Sequence, residues 1–281
     1  MSAQPRRRRQ ELGAELRKLR KSTGMNSTAF GASCGWSQSK VSKSERGATL
    51  LSPEDVKVWA NKAGADRATV DRLVALAVEL SSEDLNWSPE QGKLSERNAY
   101  IGEVERESAG LHNFQPSAIS GLLQTADYAR RVMTLLDVGD EHDVAAAVAK
   151  RMDRQTVLYD ASKTLEFLLT EGALRWRPGP PALMLPQLDR LLSLATLPNV
   201  TIGVLPFDRQ ATTLYLNGFT IFDHPEDPFV LVETYHGERR FRDEDKLAQY
   251  RAAFSRLRES AATGTEATAL IRRIMDETPR D

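Results

Sequence analysis

Three glycines, Gly24, Gly35 and Gly47, cut the N-terminal part of the chain into short pieces and restrict it to a bundle of short helices. Leu12, Leu16 and Leu19 recur at helical spacing, with Arg17, Lys18, Arg20 and Lys21 between them. Gly24 ends this first helix. Asn26 or Ser27 suits the cap of a second, running to about Ser33, and Gly35 suits a tight turn at positive φ. Ser37 caps a third helix, Ser37 to about Arg46, which Gly47 closes. Ser52-Pro53-Glu54 supplies cap, proline at the first helical position and an acid in the first turn of a fourth. A fifth is expected over Arg67–Leu80, with Val70, Leu73, Val74 and Ala77 as its apolar face.

Charge separates this bundle from the rest of the chain. Residues 1–80 hold 15 Lys+Arg against 8 Asp+Glu, and residues 81–281 hold 23 against 31, although the whole chain sums to −1. A basic end on an acidic body is the layout of a nucleic-acid reader joined to something that is not one. At 281 residues two domains are expected. The expected division is a basic arm at 1–10, a DNA-binding domain at 11–80, a linker at 81–94 and a second domain at 95–277. No apolar run approaches a membrane span, and no apolar segment comes after Arg6-Arg7-Arg8-Arg9, so a cytoplasmic protein is expected, associated with the nucleoid when bound to DNA. The one cysteine, Cys34, and four scattered histidines argue against a disulfide or a metal site. No metal and no cofactor are expected.

Two short helices joined by a glycine turn form the helix-turn-helix pattern. The run from Gly24 to Gly47 resembles the helix-turn-helix of the XRE, or Cro/C1-type, family. Phe30 stands at that family's core leucine, Gly31 where two helices cross closely, Gly35 at the turn and Val41 at the core position of the recognition helix. Ser42-Lys43-Ser44-Glu45-Arg46-Gly47 is similar to the family's S-R-I-E-R-G ending. Ser44 departs from it, replacing a buried isoleucine or leucine, and should loosen the recognition helix by about 1–3 kcal/mol. Asn26-Ser27-Thr28 replaces Thr-Gln-Glu, so the phosphate contact of the glutamine would fall to Ser27.

With Val41 pointing inward, Gln38, Ser39, Ser42 and Lys43 lie on or beside the outward face. Glutamine suits adenine, and lysine suits guanine O6 and N7. The resemblance implies base reading by Gln38, Ser39 and Lys43, with Lys40 beside them. It implies phosphate contact at or near Ser27, Ser37 and Arg46, with Arg7 and Arg8 of the basic arm adding to it. Ser37 serves equally as a cap. Arg20 and Glu45 match an orienting ion pair of the family. Cys34 reads as a small buried hydrophobe and Trp36 as half-buried turn packing.

Beyond the linker, helices are expected at about Ser95–Ala109, after Thr125 to about Leu136, and at about Glu141–Leu158, Leu183–Ala195, Glu244–Ser260 and Thr265–Asp276. Strands are expected at Thr164–Thr170, Val200–Leu205, Phe219–Phe222 and Phe229–Thr234. This is an α+β domain with a small sheet flanked by helices, behind an all-α bundle of about five helices. Gly121–Ala129, Arg151–Gln155, Glu171–Arg175, Leu197–Phe207 and Phe229–Thr234 resemble a domain of unknown function that follows an XRE helix-turn-helix in regulators of filamentous bacteria. That resemblance implies a sensor or a partner-binding role.

In the second domain no Gly-x-Ser-x-Gly elbow, Walker loop, Gly-x-Gly-x-x-Gly or His-Glu-x-x-His occurs, so no enzyme is expected. Glu171 and Glu233, each at a strand end, read either as structural carboxylates or as an effector site. Arg151 and Arg154 are expected to pair with them or face solvent, and Arg239-Arg240 with Arg242 to form a solvated turn. The reading is a DNA-binding regulator, most simply a repressor, dimeric on double-stranded DNA. Its second domain would bind a small-molecule effector or a small partner protein encoded nearby. The alternative is an antitoxin-like protein that neutralises a small partner and regulates its own operon.

Overall fold

Residues 3–47, 49–82, 93–136, 141–234 and 237–279 are described by a computed structural model of the chain. They fall into two units, residues 1–86 with 240–246 and residues 87–239 with 247–281.

The first unit contains five helices, α1 (Ala3–Ser22), α2 (Ser27–Cys34), α3 (Gln38–Glu45), α4 (Pro53–Lys62) and α5 (Arg67–Ser82). Side-chain caps set the starts of α2, α3 and α4. Asn26 Oδ1 accepts from the Ala29 N–H, Ser37 Oγ from Lys40 and Ser52 Oγ from Asp55, at 2.8–3.1 Å. Asn26, rather than Ser27, is the cap of α2. Gly35 ends α2 in the left-handed region at φ 76°. Leu12, Leu16, Phe30, Val41, Val56 and Leu73 are buried around Trp59, whose indole N–H donates to the Leu16 carbonyl at 3.0 Å. A Cβ on Gly31 would lie 2.8 Å from the Trp36 carbonyl oxygen, so the close crossing expected there is present. The basic run at 6–9 is part of α1 and not an arm ahead of it. A helix of 20 residues starting at Ala3 incorporates it.

The second unit begins with α6 (Leu94–Glu107), β1 (Gly110–Gln115), α7 (Ala126–Leu135) and α8 (Glu141–Arg154). Then come β2 (Thr164–Thr170), α9 (Glu171–Arg175), α10 (Pro181–Leu194), β3 (Val200–Leu205), β4 (Phe219–Phe222), β5 (Phe229–Thr234), β6 (Gly237–Phe241), α11 (Glu244–Ser260) and α12 (Gly264–Glu277), with residues 240–246 at the end of β6 and the start of α11 grouped with the first unit. The sheet order is β3-β2-β1-β4-β5-β6. β1, β2 and β3 run parallel, with Leu111 beside Leu165 and Leu165 beside Val200. β4 pairs antiparallel with both β1 and β5. One sheet face sends Leu111, Phe167, Ile202 and Phe222 into a core shared with α10 and α12. On the opposite face Phe114 and Phe219 join Phe254 and Tyr250 of α11.

The α+β class and all four expected strands are present, and two further strands join them, β1 in the middle of the sheet and β6 at its edge. β1, Gly-Leu-His-Asn-Phe-Gln, lacks a polar–apolar alternation because both of its faces are covered. β6 carries Arg239 and Arg240, so the expected solvated turn is instead a strand. Arg240 and Arg242 are each only 8% exposed. The helix expected to reach Leu158 ends at Arg154 and continues as a 3₁₀ turn, Gln155–Tyr159. α5 runs to Ser82 and α6 starts at Leu94. The rest of the expected linker, residues 83–92, lies outside the described residues.

Candidate nucleic-acid interface

Two helix N-termini meet at the expected interface. Gln38, the first residue of α3, donates its side-chain amide to Ser27 Oγ at the first residue of α2, at 3.2 Å. The unsatisfied N–H groups and the positive dipole end of a helix favour an anion at such a place. Gln38 and Ser39 are exposed. Val41 is fully buried in the opposite direction, and Ser44 follows it one turn later. The α3 face bearing Gln38 and Ser39 is therefore turned away from the core.

The cations of α3 differ in their surroundings. Lys43 Nζ lies 2.6 Å from Glu244 Oε1, within the first unit, and both side chains remain more than 40% exposed. An exposed pair of this kind contributes about 0–1 kcal/mol and is screened by salt, so it leaves Lys43 available to phosphate or a base. Lys40 is more enclosed. Its Nζ is 3.0 Å from Asp55 Oδ2 of α4 and 4.6 Å from the Trp36 ring centroid. Arg46 folds back, its Nε donating to the Ser42 carbonyl at 3.3 Å. Ser37 caps α3 through its oxygen, which leaves its own O–H free to donate. The side chain expected to contact phosphate at Arg7 lies outside those described, and Arg8 is half-buried on α1.

Arg20 and Glu45 form an ion pair. Arg20 Nε and Nη2 reach the two Glu45 oxygens at 2.5 and 3.1 Å, and Nη1 donates to the Met25 carbonyl at 2.6 Å. Both side chains are about 10% exposed or less. The bidentate fork fixes the end of α3 to α1 and to the turn before α2. Ser44 is 2% exposed and donates to the Lys40 carbonyl at 2.8 Å. Cys34 is half-buried, and burial pushes its thiol above the ordinary value.

In the second unit the two carboxylates considered for an effector each meet a separate arginine. Glu171 Oε1 is 2.7 Å from Arg175 Nε, and Oε2 accepts from the Phe207 N–H at 2.9 Å. Burial raises the Glu171 carboxyl, but these partners outweigh it and hold it below its ordinary value. Glu233 pairs with Arg97, whose positive charge holds the carboxyl below its ordinary value. Arg97 also bridges to Glu238.

Arg151 and Arg154 make their hydrogen bonds elsewhere, although the charges of both help to lower the Glu233 carboxyl. Arg154 makes two bonds of 2.6 and 2.8 Å to Glu105, which the sequence presents only as one of an alternating run of glutamates. Arg151 donates to Gln124 Oε1 at 2.7 Å and to Asn98 Oδ1 at 3.3 Å. Burial, with Arg154 and Arg97 nearby, pushes the Arg151 guanidinium down to about 9. Gln155 closes the network on the Gln124 carbonyl at 2.6 Å. The blocks Gly121–Thr125 and Arg151–Gln155 thus meet in one buried polar junction. Among the described residues no group of three or more His, Cys, Asp or Glu is placed to hold a metal, and no helix is long and apolar enough to cross a membrane.

Two family models match the chain. One, described as a helix-turn-helix domain, matches residues 11–73, spanning α2 and α3. The other, described as a domain of unknown function (DUF5753), matches residues 99–273 and so covers more than half of the chain. No curated protein matches. The chain belongs to the family defined by this domain of unknown function, carried behind an N-terminal helix-turn-helix domain in the arrangement of an XRE-like regulator.

Proposed function

We propose that this protein is a sequence-specific DNA-binding transcriptional regulator acting as a repressor. The observation that carries the reading is the helix-turn-helix itself, with Gln38 and Ser27 joined at its exposed edge. Gln38, Ser39 and Lys43 read base edges, and Ser27, Ser37 and Arg46, with Arg7 and Arg8 of α1, hold phosphates. Each good base contact contributes roughly 1–3 kcal/mol of discrimination. One helix-turn-helix reads a half-site, so the protein binds as a homodimer on a near-palindromic operator. The second unit mediates dimerisation and responds to an effector or a small partner protein. Release from DNA is a population shift between competent and incompetent arrangements.

The test is selection of duplexes from a randomised library by the full chain, followed by a gel shift. Gln38→Ala with Lys43→Ala should abolish preference for the selected duplex while the thermal unfolding curve stays in place. A double variant that still selects the same duplex overturns the assignment of α3.

A further inference from the structure

Four of the side chains facing the helix-turn-helix turn form a chain that ends on one lysine of the recognition helix. Phe30 and Trp59 meet tilted at 50° with 4.9 Å between centroids, and Trp59 lies 6.0 Å from Trp36 in the turn. Trp36 carries the Lys40 ammonium over its ring at 4.6 Å. The same ammonium meets Asp55 in the first turn of α4 at 3.0 Å. Lys40 and Asp55 keep only 22% and 23% of their side-chain surface in water, which strengthens the ion pair and the cation–π contact relative to exposed ones. α3 packs on α1 and α2, and this clamp adds a tie from its first turn to α4.

The geometry points to Lys40, Trp36 and Asp55 as positioning residues for DNA recognition, fixing the angle at which α3 presents Gln38, Ser39 and Lys43, with Lys40 itself not reading bases. The inference rests on the DNA-binding reading above. Two simpler accounts make opposite forecasts. If Lys40 touched a phosphate, its loss would reduce the salt dependence of binding by close to one counterion. If Asp55 acted on DNA only by charge, its neutralisation would tighten binding, because one repulsion with phosphate disappears.

Full-length variants are compared on the duplex selected by the wild-type chain and on a scrambled duplex of the same composition. Lys40→Met and Asp55→Asn should both weaken the selected duplex, by about tenfold, and leave the scrambled one nearly unchanged. The salt slope should stay at the wild-type value. Lys40→Arg, which keeps both contacts, should restore most of the affinity. Melting curves confirm that each variant is folded, and Asp55→Asn carries the test if Lys40→Met does not fold. A tighter Asp55→Asn complex, or a Lys40→Met slope lowered by about one, overturns the proposal. Failure of the wild-type chain to select any duplex overturns the DNA-binding reading, and this inference with it.

Discussion

The helical bundle and the second unit differ in what their most buried arginines and lysines are bonded to. In the bundle, Lys40, Lys43 and Arg46 stay at least partly in water along α3, and Arg20 is a buried cation whose charge braces that helix. In the second, Arg97, Arg151, Arg154 and Lys163 are largely buried and bonded inward, Lys163 to the Arg106 and Ser108 carbonyls. Net charge therefore describes each unit less well than the location of its cations does. A guanidinium taken out of water is held by carboxylates or amides and is not offered to a phosphate. The basic excess of the first eighty residues counts because much of it remains at the surface.

The strongest way to break this contrast is at Arg154. Its side chain is 10% exposed and that of Glu105 is 3% exposed, so Arg154→Met leaves a buried carboxylate without its partner. The expected cost is about 3–5 kcal/mol, seen as a lowered unfolding transition in calorimetry of the full chain. Arg154→Met with Glu105→Met should recover most of the loss, since an apolar pair can replace an ion pair. A single variant that loses less than about 1 kcal/mol would mean that the junction is a surface network, and the contrast would fail.

His112 sharpens the same contrast through pH. Its two ring nitrogens face Asp223 at 3.1 Å and Glu166 at 3.2 Å, with Arg251 on Asp223, Arg258 on Glu166 and the Phe254 ring edge completing the surroundings. The bonds to Asp223 and then Glu166 push the imidazole up from 6.5 to about 9. A raised folded-state value means that the stabilisation is fully present below about pH 6.5 and is lost as pH rises through 9. The ceiling is roughly 3 kcal/mol. Urea unfolding between pH 6 and 10 should show His112→Gln losing stability less steeply than the wild-type chain. Parallel curves would refute the charged imidazole.

The sequence makes the first unit legible because its signals are local. Caps at Ser37 and Ser52, the turn at Gly35 and the inward Val41 each sit within a few residues of the feature they determine. The four apolar strands of the second unit were legible for the same reason. β1 and β6 were not, because their polar residues are satisfied by residues far along the chain. Asn113 donates to Thr220 Oγ1 at 2.6 Å, and Glu238 pairs with Arg97, 141 positions away. Period-two patterns carry no trace of such partners. The blocks Gly121–Thr125 and Arg151–Gln155 were visible as motifs, but whether they formed a site or a structural junction depended on Asn98 and Glu105 from α6. Lys40 was legible as a recognition-helix lysine, whereas Asp55, its partner, lay beyond the motif.

Gly13 offers a test whose sign is the informative part. It lies inside α1, where alanine ordinarily stabilises a helix by about 1 kcal/mol over glycine. Here a Cβ would stand 2.5 Å from the Ser44 carbonyl oxygen and 2.9 Å from both the Glu45 oxygen and the Gly47 nitrogen. All three are backbone atoms, with no rotamer to move aside. Gly13→Ala should therefore destabilise the first unit by about 1–3 kcal/mol and weaken DNA binding. A stabilised variant would show that α1 and the end of α3 have room to separate.

The same approach explains Ser44. A residue smaller than the family's isoleucine or leucine was expected to loosen α3, yet the backbone of α1 comes close enough at Gly13 for the position to be 2% exposed. The serine hydroxyl donates to the Lys40 carbonyl one turn back, a local bond of small net value in a helix. Alanine removes that bond but is the better helix former, and the two changes oppose each other. Ser44→Ala should therefore shift stability by less than about 0.5 kcal/mol in either direction. A loss above about 1.5 kcal/mol would show that the hydroxyl satisfies a buried group. The close approach of α1 at Gly13 would then not suffice to seat α3.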